Sequence, residues 1–304
     1  MFNSNKKKLN NQRVKENQFS IILLVFPFIS LFFIFTVLPV LSSMALSLFS
    51  WDLVSAPKFI GIENYLRMFF DDEIFPIVIK NTLFFAIIAG PAGFLMSFVL
   101  AWFVNEFEPR IRTFLSFLFY TPSLVGGGIF IWQVVFSSDS YGYINSALLS
   151  LNLIKEPILW LQDPERTMTI VIIVQLWQSM GVSFLANISG LQNINVEYFE
   201  AGAIDGIRNR WQELWYITLP TMKNMLLFSA VMQIQSSFAA GAISTQLCGY
   251  PSVDMSVDML TEYMTDVGTV RYEMGYASSL AVILFLAMLI ARHIIAKALN
   301  KIGK

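Results

Sequence analysis

The chain is short of charge. Lysine, arginine, aspartate and glutamate make up 13% of its 304 residues, about half the share of an ordinary soluble domain. A soluble protein of this length needs a charged surface, and this one cannot cover it. Part of its surface must therefore be solvated by lipid. The single cysteine, Cys248, excludes an internal disulfide framework, and the single histidine, His293, excludes a multi-histidine metal site. No Gly-x-x-x-x-Gly-Lys-Ser/Thr segment occurs, so the chain has no phosphate cradle of its own. Gly126, Gly127 and Gly128 do not replace one. They lie in an apolar run with no basic residue following, where glycines serve close helix packing or a flexible point. No charged side chain sits deep in any apolar run. That argues against a proton- or sodium-coupled carrier, which buries a carboxylate, and against a charged substrate that needs a buried counter-ion.

What is abundant is apolar surface, at 56% of residues. A bilayer core of about 30 Å is crossed by about 20 helical residues, and residues 19–51 carry no ionisable side chain at all. The runs predict an all-α, polytopic membrane protein with about six transmembrane helices, at about 19–49, 76–105, 111–136, 167–190, 221–243 and 274–298. A tail at 1–18, a long loop at 191–220 and a tail at 299–304 complete the organisation. The first run is too long for one straight crossing, so it should tilt, or bend at Pro27 or Pro39. It is also too long for the apolar part of a signal peptide, and no small-residue cleavage site follows it.

Short loops rich in lysine and arginine stay in the cytoplasm. With both termini inside, the inner segments hold fourteen of the 20 basic residues, from Lys6 to Arg13 and Lys15, through Arg110, Arg112, Arg208, Arg210 and Lys223, to Arg292 and Lys304. The outer segments hold only Lys58, Arg67, Lys80, Lys155, Arg166 and Arg271. Both termini are expected in the cytoplasm, with the chain in the cell membrane. The basic segment at 6–15 reads as a topology anchor rather than a nucleic-acid arm, and no nucleic-acid partner is expected.

The loop between the fourth and fifth spans has strong local character. Residues 198–204 read as a short helix with small residues at Ala201, Gly202 and Ala203, and Gly206 is placed to end it in a left-handed cap. A second turn over 208–216 carries Trp211 and Trp215, and Pro220 opens the next span where proline is tolerated. Two short helices meeting at a glycine suit a rigid lever docked into a partner.

Glu200-Ala201-Gly202, Asp205-Gly206 and Ile217-Thr218-Leu219-Pro220 occur in that order, and the loop resembles the cytoplasmic loop of the membrane subunits of ABC importers. The family pattern has Ala where Gly202 stands, and one residue fewer between Gly206 and Ile217. Tyr120-Thr-Pro122, Trp132, Tyr141-Gly-Tyr-Ile-Asn145 and Gly275-Tyr-Ala-Ser278 resemble the maltose-type branch, which imports oligosaccharides and related sugars. The resemblance implies a division of labour. This subunit would pair with a second permease, most simply as a heterodimer, with two ATPase subunits and with an extracellular substrate-binding protein. ATP and Mg would be bound in the partner ATPase, with no cofactor in this chain. Glu200, Ala201, Gly202, Asp205 and Gly206 would couple to the ATPase.

A sugar path through lipid should present amides, hydroxyls and aromatic faces. The fourth span offers Gln175, Gln178, Ser179, Ser183 and Asn187 on one helical face. The fifth offers Ser229, Gln233, Ser236 and Ser237, and the third offers Trp132 and Gln133. From these, Trp132, Gln133, Gln175, Gln178, Gln233 and Ser236 are the candidate lining. Such residues also hydrogen-bond neighbouring helices without touching a substrate, and both readings stay open here. Asp254, Asp258, Glu262 and Asp266 recur every four residues. If helical they form one acidic face, read as a solvated surface, a docking face or, least simply, a calcium site. The remaining functional alternatives are a stand-alone channel or secondary carrier, and an importer of a non-sugar solute.

Overall fold

The computed structural model describes residues 23–125 and 128–299, and these are overwhelmingly helical. The tail at 1–18, the basic residues within it, Gly126, Gly127 and residues 300–304 lie outside the described residues. The chain opens on α1 (Leu23–Leu46). Ahead of Pro39, whose ring removes a backbone donor, the helix widens by one residue per turn over Phe33–Val37 and continues unbroken. An antiparallel pair of two-residue strands follows, β1 (Phe49–Ser50) and β2 (Lys58–Phe59), with Phe49 opposite Phe59. After the short α2 (Glu63–Leu66) comes α3 (Phe75–Asn105), with Pro76 in its first turn, where the missing N–H would be unbonded anyway.

The next spans are broken. Helices α4 (Pro109–Leu124) and α5 (Ile129–Val135) form one candidate crossing. Beyond α6 (Tyr143–Ser150), α7 (Pro164–Gln178) and α8 (Val182–Gln192) form the second, bent by 42° at 179–181. The start of α7 is set by Asp163, whose side chain accepts from the Glu165 N–H, and by Pro164 behind it. The loop helices α9 (Val196–Ile204) and α10 (Arg210–Glu213) lead through a widened turn at Leu214–Thr218 into α11 (Lys223–Phe238) and α12 (Gly241–Cys248). This third broken pair also bends by 42°. The short α13 (Leu260–Thr265) precedes α14 (Met274–Leu299). Among the described residues three helices, α1, α3 and α14, are long and apolar enough to cross a membrane singly, and counting each bent pair as one span gives up to six.

Helix α3 is central, packed on α7, α8 and α11, with α11 also against α8 and α14. Phe98, Ala101, Phe184, Ile188, Leu214, Ile217 and Leu226 form the core at the end that carries α9. At the opposite end, Met68, Val78, Leu260, Tyr263, Tyr276 and Leu280 pack together, beside Phe85, Val171, Val174, Ile243 and Met259. There Asp72 staples the elements. It accepts from the hydroxyls of Tyr263 (2.5 Å) and Tyr276 and from the N–H groups of Ile74 (2.8 Å) and Phe75 (3.0 Å). Burial alone would raise the Asp72 carboxyl, but those hydroxyls and N–H groups hold it below its ordinary value.

The acidic residues between α12 and α14 do not share one helical face. The backbone turns left-handed at Asp254 and Met255, and a helix begins only at Leu260. Asp258 is buried and accepts from the Ser252 N–H (2.9 Å), Glu262 is folded inward against α12, and Asp266 pairs with Arg271 (2.7 Å). Periodicity of four missed this because Asp258 satisfies a turn, and a buried carboxylate takes its nearest backbone donor before any helix can form through it.

Candidate functional site

The polar stripes of the fourth and fifth spans divide into two sets. Ser183, Asn187, Ser229, Gln233 and Ser237 are buried within the bundle. The Ser183 hydroxyl donates to the Ser229 carbonyl (3.1 Å), and the Asn187 amide donates to Ser97 on α3 (3.3 Å). Gln233 is folded against Gly93 of α3, where a Cβ would overlap its amide, and its Nε2 has no partner among the described residues. These groups knit α3, α8 and α11 together, as polar side chains commonly do between membrane helices.

The second set opens outward. Gln175 is buried and donates from Nε2 to the hydroxyl of Ser236 (2.9 Å), which is exposed. Gln178 is half-buried on the next turn of α7, and Gln235 is exposed beside Ser236. The two helix breaks lie about one turn to either side of this contact, at 179–181 on one span and at Ala239 and Ala240 on the other. Gln235 escaped the sequence reading because it falls off the three-and-four spacing of the stripe. The usable signal was simply an amide inside an otherwise apolar span. Trp132 and Gln133, on α5, are half-buried. The Trp132 ring meets Trp177 at 5.5 Å between centroids, and the Gln133 amide donates to the Gln246 carbonyl of α12. Trp132 ties the broken third span to the fourth, and Gln133 ties it to the fifth, a level away from Ser236.

At the far end, α9 begins at Asn195, whose side chain accepts from the Glu197 N–H (3.2 Å). Glu200, Ala201, Asp205 and Gly206 are exposed, as are Tyr198 and Ile204 on the same short helix. Gly202 faces inward. A Cβ there would lie 2.7 Å from the Ile217 Cδ1 methyl and 3.0 Å from that of Ile207, so any side chain requires those two methyls to shift. Gly206 adopts φ +95°, a region side chains disfavour. The loop is bound to the membrane helices through Arg210, which pairs with Glu106 at the end of α3 (2.7 Å) and with Glu213 (2.9 Å). Trp211 meets Trp102 of α3 at 5.5 Å.

A helix presenting small and apolar side chains from a loop, above broken spans with an outward amide and hydroxyl face, is the layout of a solute permease driven from outside its own chain. Residues 89–301 match the family described as binding-protein-dependent transport system inner membrane component. The chain belongs to that family. It is an inner-membrane permease component of an ABC transporter, multi-pass and not itself an enzyme. The probable ABC transporter permease protein YesP of Bacillus subtilis is 33% identical over 259 residues, covering 84% of this permease and 82% of YesP. The lactose transport system permease protein LacF of Rhizobium radiobacter is 32% identical over 212 residues, 69% of each chain. A chain of the crystal structure of a bacterial ABC transporter that imports the acidic polysaccharide alginate superposes with a TM-score of 0.76 at 23% identity. The match covers 96% of this permease and 99% of that chain, a shared fold.

Proposed function

We propose that this permease is one half of the translocation path of an ATP-driven importer of carbohydrate, and of an oligosaccharide in particular. The observation that carries the reading is the Gln175–Ser236 contact between two broken spans, with Gln178 and Gln235 beside it. From 167 to 192 and from 224 to 248 no aspartate, glutamate, lysine or arginine occurs. The path therefore offers neutral donors and acceptors, the partners that sugar hydroxyls need when they leave water. Breaks in crossing helices free backbone groups at the depth where transporters hold their solute. The lactose named for LacF supports a sugar as cargo.

Helix α9 docks on an ATPase subunit through the exposed face around Tyr198, Ala201 and Ile204, with Glu200 and Asp205 as polar contacts at its edge. ATP and Mg are bound in two such ATPase subunits. A second permease covers the open polar face and completes the path, and an extracellular binding protein delivers the sugar at the end opposite α9. The asymmetry of lysine and arginine supports cytoplasmic termini, so an impermeant maleimide on intact cells should label a cysteine placed at Asp71 and spare one at Lys304. In the complete reconstituted transporter, Gln178→Leu and Gln235→Leu should each lower uptake roughly tenfold, one lost hydrogen bond of about 1.4 kcal/mol, with the complex still assembled. Unchanged uptake in both would return these residues to helix packing.

A further inference from the structure

We propose that the cavity between α12 and α13, at the end opposite α9, is a second saccharide subsite that takes an uncharged ring of an oligosaccharide whose leading ring lies at the Gln175–Ser236 level. The inference rests on the carbohydrate reading above and adds a chain-length and charge preference to it. The cavity holds about 370 Å³, within the range of small-ligand pockets. Its wall includes Thr245, Gln246, Tyr250, Glu262, Thr265 and Asp266.

Three observations converge on this cavity. First, Thr245 Oγ1 and Gln246 Oε1 have no hydrogen-bond partner among the described residues although both atoms are covered. Buried polar atoms are rarely left so, and an orphaned pair on a cavity wall points to a ligand group that the wall awaits. Second, the charges are unequally compensated. Asp266 is paired with Arg271 (2.7 Å), whereas Glu262 accepts from the Thr261 hydroxyl (2.8 Å) and has no cationic partner among the described residues. A sugar hydroxyl donates to such a carboxylate. A uronate or a sulfonate would bring a second negative charge into a partly desolvated site, where like charges repel strongly. Third, Tyr250 supplies an aromatic side chain to the wall and keeps its proton. Burial first, then the Asp266 and Asp258 carboxylates, push its hydroxyl up to about 12.

The placement fixes the length of the ligand. Thr245 lies nine residues beyond Ser236 on the α11–α12 span, roughly 13 Å along it at the helical rise. No single ring reaches both levels, so only a chain occupies both subsites. Glu262 also touches the break itself, because its carboxylate sits where a Cβ of Gly241 would be. A ring held at Glu262 is therefore one side chain removed from the first residue after the bend.

The test uses the complete transporter with its ATPase and binding protein in proteoliposomes. The probes are gluco-, galacto- and arabino-oligosaccharides of two to six rings, with galacturonate oligomers as the anionic arm. Thr245→Val keeps the shape and removes the orphaned hydroxyl. A merely structural threonine would leave transport of every length unchanged. A ligand-binding one raises KM for four rings and longer roughly fivefold, shifts the disaccharide less than twofold, and leaves the melting temperature unchanged or higher. Glu262→Gln should admit galacturonate oligomers that the unaltered protein refuses. Equal effects on all lengths, or no effect of Thr245→Val together with continued refusal of galacturonate by Glu262→Gln, overturns the subsite. Gln178→Leu run in parallel separates the two failures. If it impairs every length while the outer variants do nothing, only the subsite falls; if it too is silent, the path reading falls with it.

Discussion

Gly202 and Gly206 stand four residues apart in the loop and are glycine for different physical reasons. Gly202 is crowded, but by the far methyls of Ile207 and Ile217, which can turn aside. Gly206 has open space around it and a backbone angle of φ +95°. Substitutions should therefore separate. Gly202→Ala keeps uptake near normal, whereas Gly202→Phe lifts α9 off its bed. Any side chain is strained at this angle, but Gly206→Asn, which enters positive φ most readily, should lose less than Gly206→Pro, whose ring fixes φ near −65°. Ala201→Trp, on the exposed face, should leave the fold intact and block docking. Co-purification of the ATPase with each variant checks this, and retention of full ATPase by both Gly206→Pro and Ala201→Trp would remove the docking role from α9. This local chemistry was legible in the sequence because a cap glycine and small neighbours act within one turn. The inward direction of Gly202 was not, since Ile217 comes back to it only after fifteen residues of chain.

At the scale of elements, the Asp72 cluster joins the α2–α3 connection to α13 and α14. Its carboxylate accepts four hydrogen bonds and is held below its ordinary value, so the sign of its pH effect is set. The stabilisation is complete above the unfolded carboxyl value of about 3.9 and is lost as pH falls through the lower folded value. The melting temperature of the detergent-solubilised protein should thus be insensitive to this group above about pH 5 and should fall below pH 4. Asp72→Ala should abolish that acid-dependent part and lower stability by roughly 1–3 kcal/mol, since two tyrosine hydroxyls lose their charged acceptor. Equal acid sensitivity in Asp72→Ala would assign it to other carboxylates. Apolar run length anticipated an all-α chain with up to six crossings, because it depends only on composition along the chain. The breaks in the fourth and fifth spans were not legible. Ser179-Met180-Gly181 and Ala239-Ala240 carry no proline; in the fourth span the backbone leaves the helix at Gly181 (φ −110°, ψ −120°), where a side chain would meet Ser123. The same limit split the polar stripes, since a stripe on one helical wheel can face a neighbouring helix, as Gln233 does, or open surface, as Ser236 does.

At the scale of the whole molecule, an incomplete permease has to turn a push on its loop into a change across the bilayer. No residue in the apolar window of α1 is fully buried within the described chain, and only 33% and 22% of those in α3 and α14 are. The chain therefore holds its shape through the contacts it does make, and α3 makes more of them than any other helix. The link from α9 to α3 runs through Arg210 to Glu106 and through Trp211 to Trp102. The Arg210 side chain is 64% exposed, so its ion pair adds little to stability and the protein should fold without it. A weak pair can still set the relative position of two rigid elements, and the two ends then share a coupling free energy. Arg210→Glu should leave stability within about 1 kcal/mol of normal, keep the ATPase bound, and cut substrate-stimulated ATPase activity and uptake together. Glu106→Arg alone should do the same. Combining the two restores the opposite charges with the bridge reversed and should recover part of the stimulation, although a glutamate in place of Arg210 also meets Glu213, so the reversed pair recovers less than the original. If the double variant is no better than either single one, Arg210 and Glu106 act independently, and the transmission from loop to membrane helix passes through the Trp102–Trp211 contact and the buried Leu214 and Ile217 beneath it.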